Sequence, residues 1–382
     1  MGSAMTEPQT PAGSRAPIAP AIWTLTFILA VLGPISAVLV SLTGLALFWW
    51  FGVAFAFGIL PLLDVLMGTD AENRLPAPSP RRRIYRWMTV AFVPTALVSF
   101  FWAAWIVGSH DWSLLSFVGF AITSGVSGSA AINAAHELGH KRPKLERTAS
   151  RVALASVAYS HFFVEHNRGH HRHVSTPLDP ASARFGESLY RFLPRTLFGS
   201  ARSAWGLEKR RMELTGKAVF GPSNQILSGI AMTVVIWIAA SALSDFSILI
   251  GAFLVIQAAT AISMLETVNY LEHYGLVREL RRDGKYEPCQ PHHSWNSDHR
   301  ISNMFLFQLQ RHSDHHANPT RPFEQLRHFD HSPQLPAGYA PMMLAAAVPA
   351  LWYRLMNDRV LTFVEHDMGR IHTKDSPVPA GD

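Results

Sequence analysis

Six apolar segments, each about the 20 residues that a helix needs to span a bilayer, constrain what this sequence can fold into. They cover approximately residues 21–43, 45–67, 86–108, 112–135, 225–244 and 246–271. Only 16% of the 382 residues are charged, whereas an average soluble domain has roughly 25%. We therefore predict an all-α integral membrane protein with six transmembrane helices. A shorter apolar run with two prolines, 340–355, is interpreted as a buried or interfacial helix, with a seventh span as the alternative.

The distribution of charge predicts the orientation of these helices. The links near residues 42–43, 109–111 and 244–245 are short and almost uncharged, whereas the opposite side contains most of the arginine and lysine. Because positive charge marks the cytoplasmic side, both termini and the long polar segments are expected in the cytoplasm. The net charge of +6 on that side suits anionic lipid headgroups or an acidic partner protein. No nucleic-acid partner is expected.

The sequence divides into one membrane domain and two tails. Residues 1–20 are polar and proline-rich and are predicted to be a disordered tail, residues 21–370 form the membrane domain, and 371–382 form a flexible tail or linker.

Cys289 is the only cysteine. The sequence therefore contains neither a disulfide framework nor a four-cysteine iron site, and it has no glycine-rich nucleotide-binding motif.

Nine histidines occur in four short clusters close to the ends of apolar segments or in the polar stretches that follow. They are His136, His140, His166, His170, His171, His273, His312, His315 and His316. Neutral imidazole is the commonest metal ligand in proteins and suits iron, zinc and copper. Nine imidazoles are too many for one ion. The clusters therefore predict two metal ions in a helical, histidine-rich cytoplasmic cap.

The spacing within the clusters predicts which rings share a side of a helix. His136 and His140 are four residues apart, as are His166 and His170, and such pairs share a helix face. The ring of His171 points about 100° away from that of His170, so a neighbouring pair serves two different ions. His173 is the strongest candidate for an additional ligand, while His292 and His293 are interpreted as hydrogen-bonded structural groups, with a place near the metals as the alternative. His372 is expected at the surface.

Four carboxylates accompany the clusters. They are Glu137, Glu165, Glu272 and Asp314. We predict that they accept the second N–H of the ligating imidazoles, with direct ligation to a metal as the alternative.

Two other classes of protein also hold metals with histidine. The string HELGH matches the zinc-protease motif, but that hypothesis leaves seven clustered histidines unexplained. A metal transporter would hold its coordinating residues near mid-membrane, whereas these clusters lie at the ends of spans.

Longer strings around the histidines carry a resemblance to a known family. They are NAAHELGHK, EHNRGHHRHVSTPLDPASAR, NYLEHYGL, PHHSWNSDH, LQRHSDHHANPTRPFEQLR and the PLLD of the second apolar segment. The chain resembles the integral-membrane alkane monooxygenases, within the membrane desaturase and hydroxylase superfamily. The resemblance extends from about residue 20 to residue 370. It implies six transmembrane helices in the bacterial inner membrane, with a cytoplasmic catalytic cap.

The resemblance also implies an activity. The nine histidines would hold two non-haem irons, which use O2 and two electrons to convert the terminal methyl of a medium or long n-alkane into a primary alcohol. Rubredoxin would supply the electrons after recharging by rubredoxin reductase. The alternative within the superfamily is a desaturase or hydroxylase that acts on lipid acyl chains.

An alkane has no polar handle, so its pocket must be apolar and lie between the spans, within reach of the bilayer. We predict that Ala54, Ala56 and Gly58 line this pocket and that bulk added there shortens the longest alkane accepted. For an acidic rubredoxin, the candidate contacts are basic residues near the clusters: Lys141, Arg142, Lys144, Arg168 and Arg311.

Overall fold

The computed structural model describes residues 16–74 and 79–378, and the regular structure in these ranges is helical, with isolated β-bridges in the connecting segments. Residues 1–15, most of the predicted N-terminal tail, lie outside the described ranges, as do residues 379–382. In chain order the helices are α1 (Pro20–Ala30), α2 (Leu32–Thr43), α3 (Ala46–Met67), α4 (Pro80–Ser109), α5 (Leu114–Gly139), α6 (Lys144–Ser156), α7 (Phe162–Glu165, His166–His170 and His171–His173), α8 (Leu189–Leu214), α9 (Gln225–Leu243), α10 (Ile248–His273), α11 (Arg300–Phe305), α12 (His312–Ala317), α13 (Tyr339–Ala346) and α14 (Pro349–Phe363).

Five of these helices, α3, α4, α5, α9 and α10, are individually long and apolar enough to cross a membrane. The pair α1 and α2 makes a sixth candidate span when its two halves are taken together. Each of the six segments predicted from the sequence therefore corresponds to one helix or one bent pair. The multi-helix apolar architecture is that of a multi-pass membrane protein.

The first span is bent by 72° between α1 and α2. The break falls at Val31, whose φ of −119° and ψ of 24° are not helical. Pro34 explains the position, because its ring clashes with the carbonyl of the residue four before it, Ala30, and it has no N–H to donate to that carbonyl. A straight helix over 21–43 is thus interrupted near its middle.

A π-helical turn, Phe55–Ile59, interrupts α3. It lies directly before Pro61, which cannot donate a hydrogen bond to the carbonyl of Phe57, and a widened turn accommodates the proline ring. The turn changes which side chains of α3 face inward. Ala56 is buried, whereas Ala54 and Gly58 are exposed.

The core of the membrane domain is built around α5, which is buried along most of its length. Its small residues allow close approach of α10. A Cβ placed on Gly125 would lie 2.5 Å from the Cβ of Thr260 and 2.8 Å from the carbonyl oxygen of Gln257. Such contacts are too short, so glycine is required there. This packing brings the histidine-bearing ends of α5 and α10 together.

Helices α6–α8, α11, α12 and α14 form a cap at that end of the bundle, whereas α13 packs against α3 and α10. Asp64, near the end of α3, fastens the cap by accepting hydrogen bonds from the backbone N–H groups of Ile301 and Ser302 at the start of α11, both at 2.9 Å. Two donors that a helix start would otherwise leave unpaired are thereby satisfied.

The C-terminal segment packs against the cap beyond the predicted boundary at residue 370. Ile371 and His372 are buried, and backbone hydrogen bonds join His372 to Phe185 at 2.7 Å and to Gly275 at 2.9 Å. The prediction that His372 lies at the surface is wrong. Its backbone is paired to the cap on both sides, which draws its side chain inside.

Candidate metal centre

Five histidines form the first of two clusters. His136 and His140 come from the end of α5, His166 and His171 from α7, and His315 from α12. The Nε2 atom of His166 lies 3.1 Å from that of His140 and 3.0 Å from that of His171. The Nε2 atoms of His171 and His315 are 3.1 Å apart. Five rings from three helices therefore each offer a ring nitrogen to one small volume.

The second cluster contains His170, His273, His312 and His316. All four side chains are buried. The Nε2 atoms of His316 and His312 are 2.8 Å apart, those of His312 and His273 are 3.2 Å apart, and those of His316 and His170 are also 3.2 Å apart. The two clusters together contain the nine histidines predicted from the sequence as metal ligands.

These distances fit metal coordination. Two nitrogens bound at right angles to one metal, each at about 2.1 Å, are separated by about 3.0 Å. For six of the nine rings, the surroundings also favour the neutral form that a metal ligand must have. Burial, reinforced by neighbouring imidazoles, lowers the pKa well below the ordinary histidine range for His140, His166, His171, His312, His315 and His316. The nine residues thus fit two metal ions, and an all-imidazole donor set suits iron, zinc or copper rather than magnesium or calcium.

A π-helical turn decides which ring serves which cluster. His166–His170 are in this conformation, so His166 shares its cluster with His171, five residues on, and not with His170. The pairing of His166 with His170 expected from α-helical spacing is therefore wrong, although the expectation that adjacent His170 and His171 face different clusters is confirmed. Glycine at position 169 leaves room for the carboxylate of Glu165, which would have to move to accommodate a Cβ there.

Of the four predicted carboxylates, Glu272 contacts a clustered histidine. Its Oε2 lies 3.1 Å from Nε2 of His312, and its Oε1 accepts a 2.6 Å hydrogen bond from the hydroxyl of Tyr339. Because the contact is to Nε2, the nitrogen that faces the metal volume, Glu272 is placed as a candidate additional ligand and not as an acceptor for the outer N–H of His312.

Asp314 instead holds the chain that follows α12. Its carboxylate accepts hydrogen bonds from the Asn318 amide at 2.8 Å and from the backbone and side chain of Arg327, and it pairs with Arg321 at 3.1 Å. The predicted contact with an imidazole N–H is absent from these interactions. Asp314 points away from the clusters because it lies on the opposite side of α12 from His312 and His316.

Glu137 and Glu165 also contact other groups. Glu137 pairs with Lys141 at 2.7 Å and accepts a hydrogen bond from the backbone N–H of Phe323 at 3.3 Å. Glu165 is buried against Gly169. Burial raises the pKa of Glu165 to about 7. Neither carboxylate is paired with a clustered imidazole.

The sequence interpretation missed Asp179. Its Oδ2 accepts a 2.9 Å hydrogen bond from Nδ1–H of His170, and the carboxylate also bonds Ser182 at 2.6 Å and the backbone N–H of Ala181 at 3.1 Å. Burial acts to raise the pKa of Asp179, but the charge and hydrogen bond of His170 outweigh it and bring the pKa to about 2. An ionised Asp179 fixes the tautomer of His170 so that Nε2 is free for a metal.

A third group of possible metal ligands includes His293, and hydrogen bonds within the protein occupy both nitrogens of its ring. His293 accepts a 2.9 Å hydrogen bond from the backbone N–H of Gln290 at Nδ1 and donates from Nε2 to Glu287 at 3.0 Å. No lone pair remains for a metal on that ring, so the prediction of a hydrogen-bonded structural role is confirmed. His173 belongs to none of the three groups within the described residues.

An apolar cavity of about 80 Å³ lies between α3, α5, α10 and α13, on the membrane side of the clusters. Its lining includes Asn133, one helical turn before His136, and Leu309, three residues before His312. Ala56 also lines it, whereas Ala54 and Gly58 face the outside of α3. The cavity therefore has the composition and position expected for the end of an apolar substrate.

Comparison with known proteins agrees with this arrangement. The chain matches the fatty acid desaturase family over residues 112–346. It is 42% identical over 337 residues to an alkane 1-monooxygenase of Pseudomonas putida, covering 87% of this chain and 83% of that relative. It is 41% identical over 355 residues to alkane 1-monooxygenase 1 of Alcanivorax borkumensis, covering 92% and 87%. The chain belongs to the alkane 1-monooxygenase family. A more distant relative, the xylene/toluene monooxygenase hydroxylase component of Pseudomonas putida, is 25% identical over 316 residues, covering 81% and 82%.

On this member of the alkane 1-monooxygenase family, a surface cleft of about 540 Å³ leads to His140. Its wall contains four basic side chains, Arg82, Arg86, Lys141 and Arg142, and three acidic ones, Glu137, Glu146 and Glu324. Arg86 is paired with the buried Glu146. The cleft is an opening through which the first cluster approaches the exterior.

The five basic residues predicted as partner contacts differ in exposure. Arg142 and Lys144 are exposed at the cleft or beside it, and Lys141 lines it. Arg168 is instead paired with Glu208 at 3.0 Å. Arg311 is buried and donates to the backbone carbonyl of Leu326 at 2.8 Å, so its predicted surface role is wrong: its guanidinium holds the cap together from within.

Proposed function

We propose that this protein hydroxylates the terminal methyl of medium or long n-alkanes to primary alcohols, with O2 as co-substrate. The observation that carries the proposal is the juxtaposition of two imidazole clusters and an apolar cavity. When bound, two irons supply the activation of O2, since strong C–H bonds lie beyond side-chain acid–base chemistry. The five histidines of the first cluster would hold one ion, and the four of the second cluster would hold the other.

The reaction balances with two electrons. One oxygen atom of O2 enters the C–H bond to give the alcohol, and the other leaves as water with two protons and the two electrons. The protein positions the substrate: the cavity holds the chain end by apolar contact and keeps water away. Asp179 orients His170, and Glu272 with Tyr339 supports the second cluster.

We further propose six transmembrane spans in the bacterial inner membrane, with the bent α1–α2 pair as one of them and the cap in the cytoplasm. The charge asymmetry of the sequence supports this orientation. An arginine cluster at the start of α4 and the basic cleft beside His140 both lie at the cap end. A substrate dissolved in the bilayer and an electron donor dissolved in the cytoplasm would then approach from different sides.

The test is incubation of the iron-loaded protein in lipid with an n-alkane, isotopically labelled O2, rubredoxin, rubredoxin reductase and NADH. The proposal expects a primary alcohol that contains one labelled oxygen. A lipid acyl desaturase, the alternative that the fatty acid desaturase match keeps open, would instead give an alkene from an acyl chain and place no label in the product.

Pocket length should depend on Ala56. Replacement of Ala56 by tryptophan is expected to shorten the longest alkane hydroxylated, because added bulk fills a cavity of about 80 Å³. Terminal selectivity should persist, since the metal end is unchanged. Gas chromatography of products from an alkane series measures both. Ala54→Trp and Gly58→Trp are matched controls because both positions are exposed; an unchanged length profile for Ala56→Trp would contradict the assigned lining.

Electron delivery should be sensitive to salt. If an acidic rubredoxin docks at the basic cleft, its rate at subsaturating concentration should fall as ionic strength rises above about 0.15 M, where the Debye length is about 8 Å. Arg142→Glu should weaken the same rate, whereas Lys209→Glu, exposed on α8 away from the cleft, should not. A rate that does not respond to salt would exclude electrostatic docking here.

A further inference from the structure

The walls of the apolar cavity differ in exposure. One part is fully buried, namely Leu29, Ala56, Leu60, Val126, Ala130 and Leu265. Another part is only half-buried, namely Phe57, Ser129, Met264, Val268, Leu306, Ala340 and Met343. Five of these seven residues come from α3, α10 and α13. Because exposure of lining residues is concentrated where these three helices meet, the cavity is thinly covered on that side.

The surroundings of this thin side are apolar. Exposed residues on two of these helices include Leu62 at 59% on α3 and Leu344 at 52% on α13. Asp64 is the charged residue of the lining, and its Oδ1 accepts hydrogen bonds from two backbone N–H groups of α11. A surface of this kind fits hydrocarbon better than water.

The depth of α13 supports contact with hydrocarbon. Met343 on α13 and Phe57 on α3 line the same cavity. Phe57 lies ten residues before Met67, the end of α3, which corresponds to about 15 Å along a helix axis. The short helix α13 therefore reaches well below the cap end of the bundle, where it separates the cavity from the outside.

We propose that the junction of α3, α10 and α13 is the portal through which a linear apolar chain passes from the bilayer into the cavity, and that Met343 is its movable side chain. This inference depends on the proposed function in one respect only, namely that the apolar molecule passing through the portal is an alkane. An unbranched methionine has three rotatable bonds and changes conformation easily. Because lipid tails are as apolar as the pocket, transfer between them requires no polar group along the path.

A rival route is a groove of about 470 Å³ between the α1–α2 bend and α4. Val31, Pro34, Pro94 and Val98 are among its lining residues. Behind the groove, however, the neighbouring residues Leu29, Ala30, Phe92 and Val93 are fully buried in the core. Well-packed side chains of this kind resist displacement, so the groove does not lead into the cavity.

Three variants of the iron-loaded protein in nanodiscs test the portal. Met343→Trp should lower kcat/KM for an n-alkane by about tenfold, with iron content and thermal midpoint unchanged. Leu344→Trp, the exposed neighbour that does not line the cavity, and Val98→Trp, in the rival groove, should both keep the parental value. Loss of kcat/KM in Val98→Trp, or the parental value in Met343→Trp, would overturn the proposal.

A labelling experiment tests the portal without turnover. Met343→Cys should react with an alkyl thiosulfonate dissolved in the bilayer, more slowly when an n-alkane is present, and should resist a charged thiosulfonate in water. The parent chain gives the baseline, since Cys289 is half-buried and burial raises its thiol pKa to about 12. Faster reaction with the charged reagent would overturn the portal. Alkane protection in a protein that makes no alcohol would support the portal while refuting the proposed function.

Discussion

Replacing His312 by alanine is expected to abolish alcohol formation and remove bound iron. His312 is buried, and its Nε2 lies between those of His316 at 2.8 Å and His273 at 3.2 Å. Without it, three imidazoles remain in the second cluster, and metal affinity falls steeply because the donors act together. Iron per chain, measured by plasma emission spectrometry, should drop from about two to about one or less, and turnover should be lost.

The control for this variant must be a histidine outside the clusters. His331→Ala is suitable because the side chain is exposed, and it should keep iron and activity. His372 is unsuitable because its side chain is buried where the C-terminal segment packs against the cap, and its removal would create a cavity there. Full iron loading with normal turnover in His312→Ala would refute the ligand assignment.

Replacing Asp179 by asparagine should weaken metal binding at the second cluster by about 10- to 100-fold, the usual effect of losing a carboxylate that orients a ligating histidine. The substitution keeps the volume but removes the negative charge that holds His170 with Nδ1 protonated. Competition of the bound iron with a chelator measures the affinity. Mössbauer spectra should show one of the two iron signals altered, which a general loss of stability would not produce.

Asp330→Asn is the matched control, because its side chain is 91% exposed. It should leave both the chelator competition and the spectra unchanged. If Asp179→Asn retained parental iron affinity and both iron signals, the carboxylate would serve only the Ser182 turn and not the metal centre.

Much of the fold followed from the length and spacing of apolar segments. The predicted segments at 225–244 and 246–271 correspond to α9 and α10 within two residues at each end. Such segments are predictable because span length is set by bilayer thickness, a local property. The bend at Val31 was not predicted, although Pro34 was visible, because prolines near helix starts are often tolerated and the start of α2 was hidden within a continuous apolar run.

The members of the metal centre were recognisable, but their distribution between two clusters was not. His166 joined His171 and not His170 because the π-helical turn His166–His170 adds a residue to that turn. Helical spacing assumes a regular helix, and the contact of Gly169 with Glu165 inside this turn is visible only in three dimensions. Asp179 was missed for a similar reason: nine residues separate it from His170, and the intervening turns bring them together.

The burial of Arg311 and His372 likewise depends on long-range contacts. Arg311 donates to carbonyl groups of Leu326 and Asp70, the latter 241 positions away. Periodicity and composition contain no information on such pairs. These long-range contacts bury some charged residues inside the cap, whereas the sequence alone predicted that charged residues beside the histidine clusters lie at the surface.

The most direct test of the central claim combines metal content and product identity in a single preparation. The purified protein in lipid, supplied with a medium-chain n-alkane, labelled O2 and reduced rubredoxin, should contain two irons per chain and form the 1-alcohol with one labelled oxygen atom. Zinc as the only bound metal, or an alkene in place of the labelled alcohol, would contradict the account.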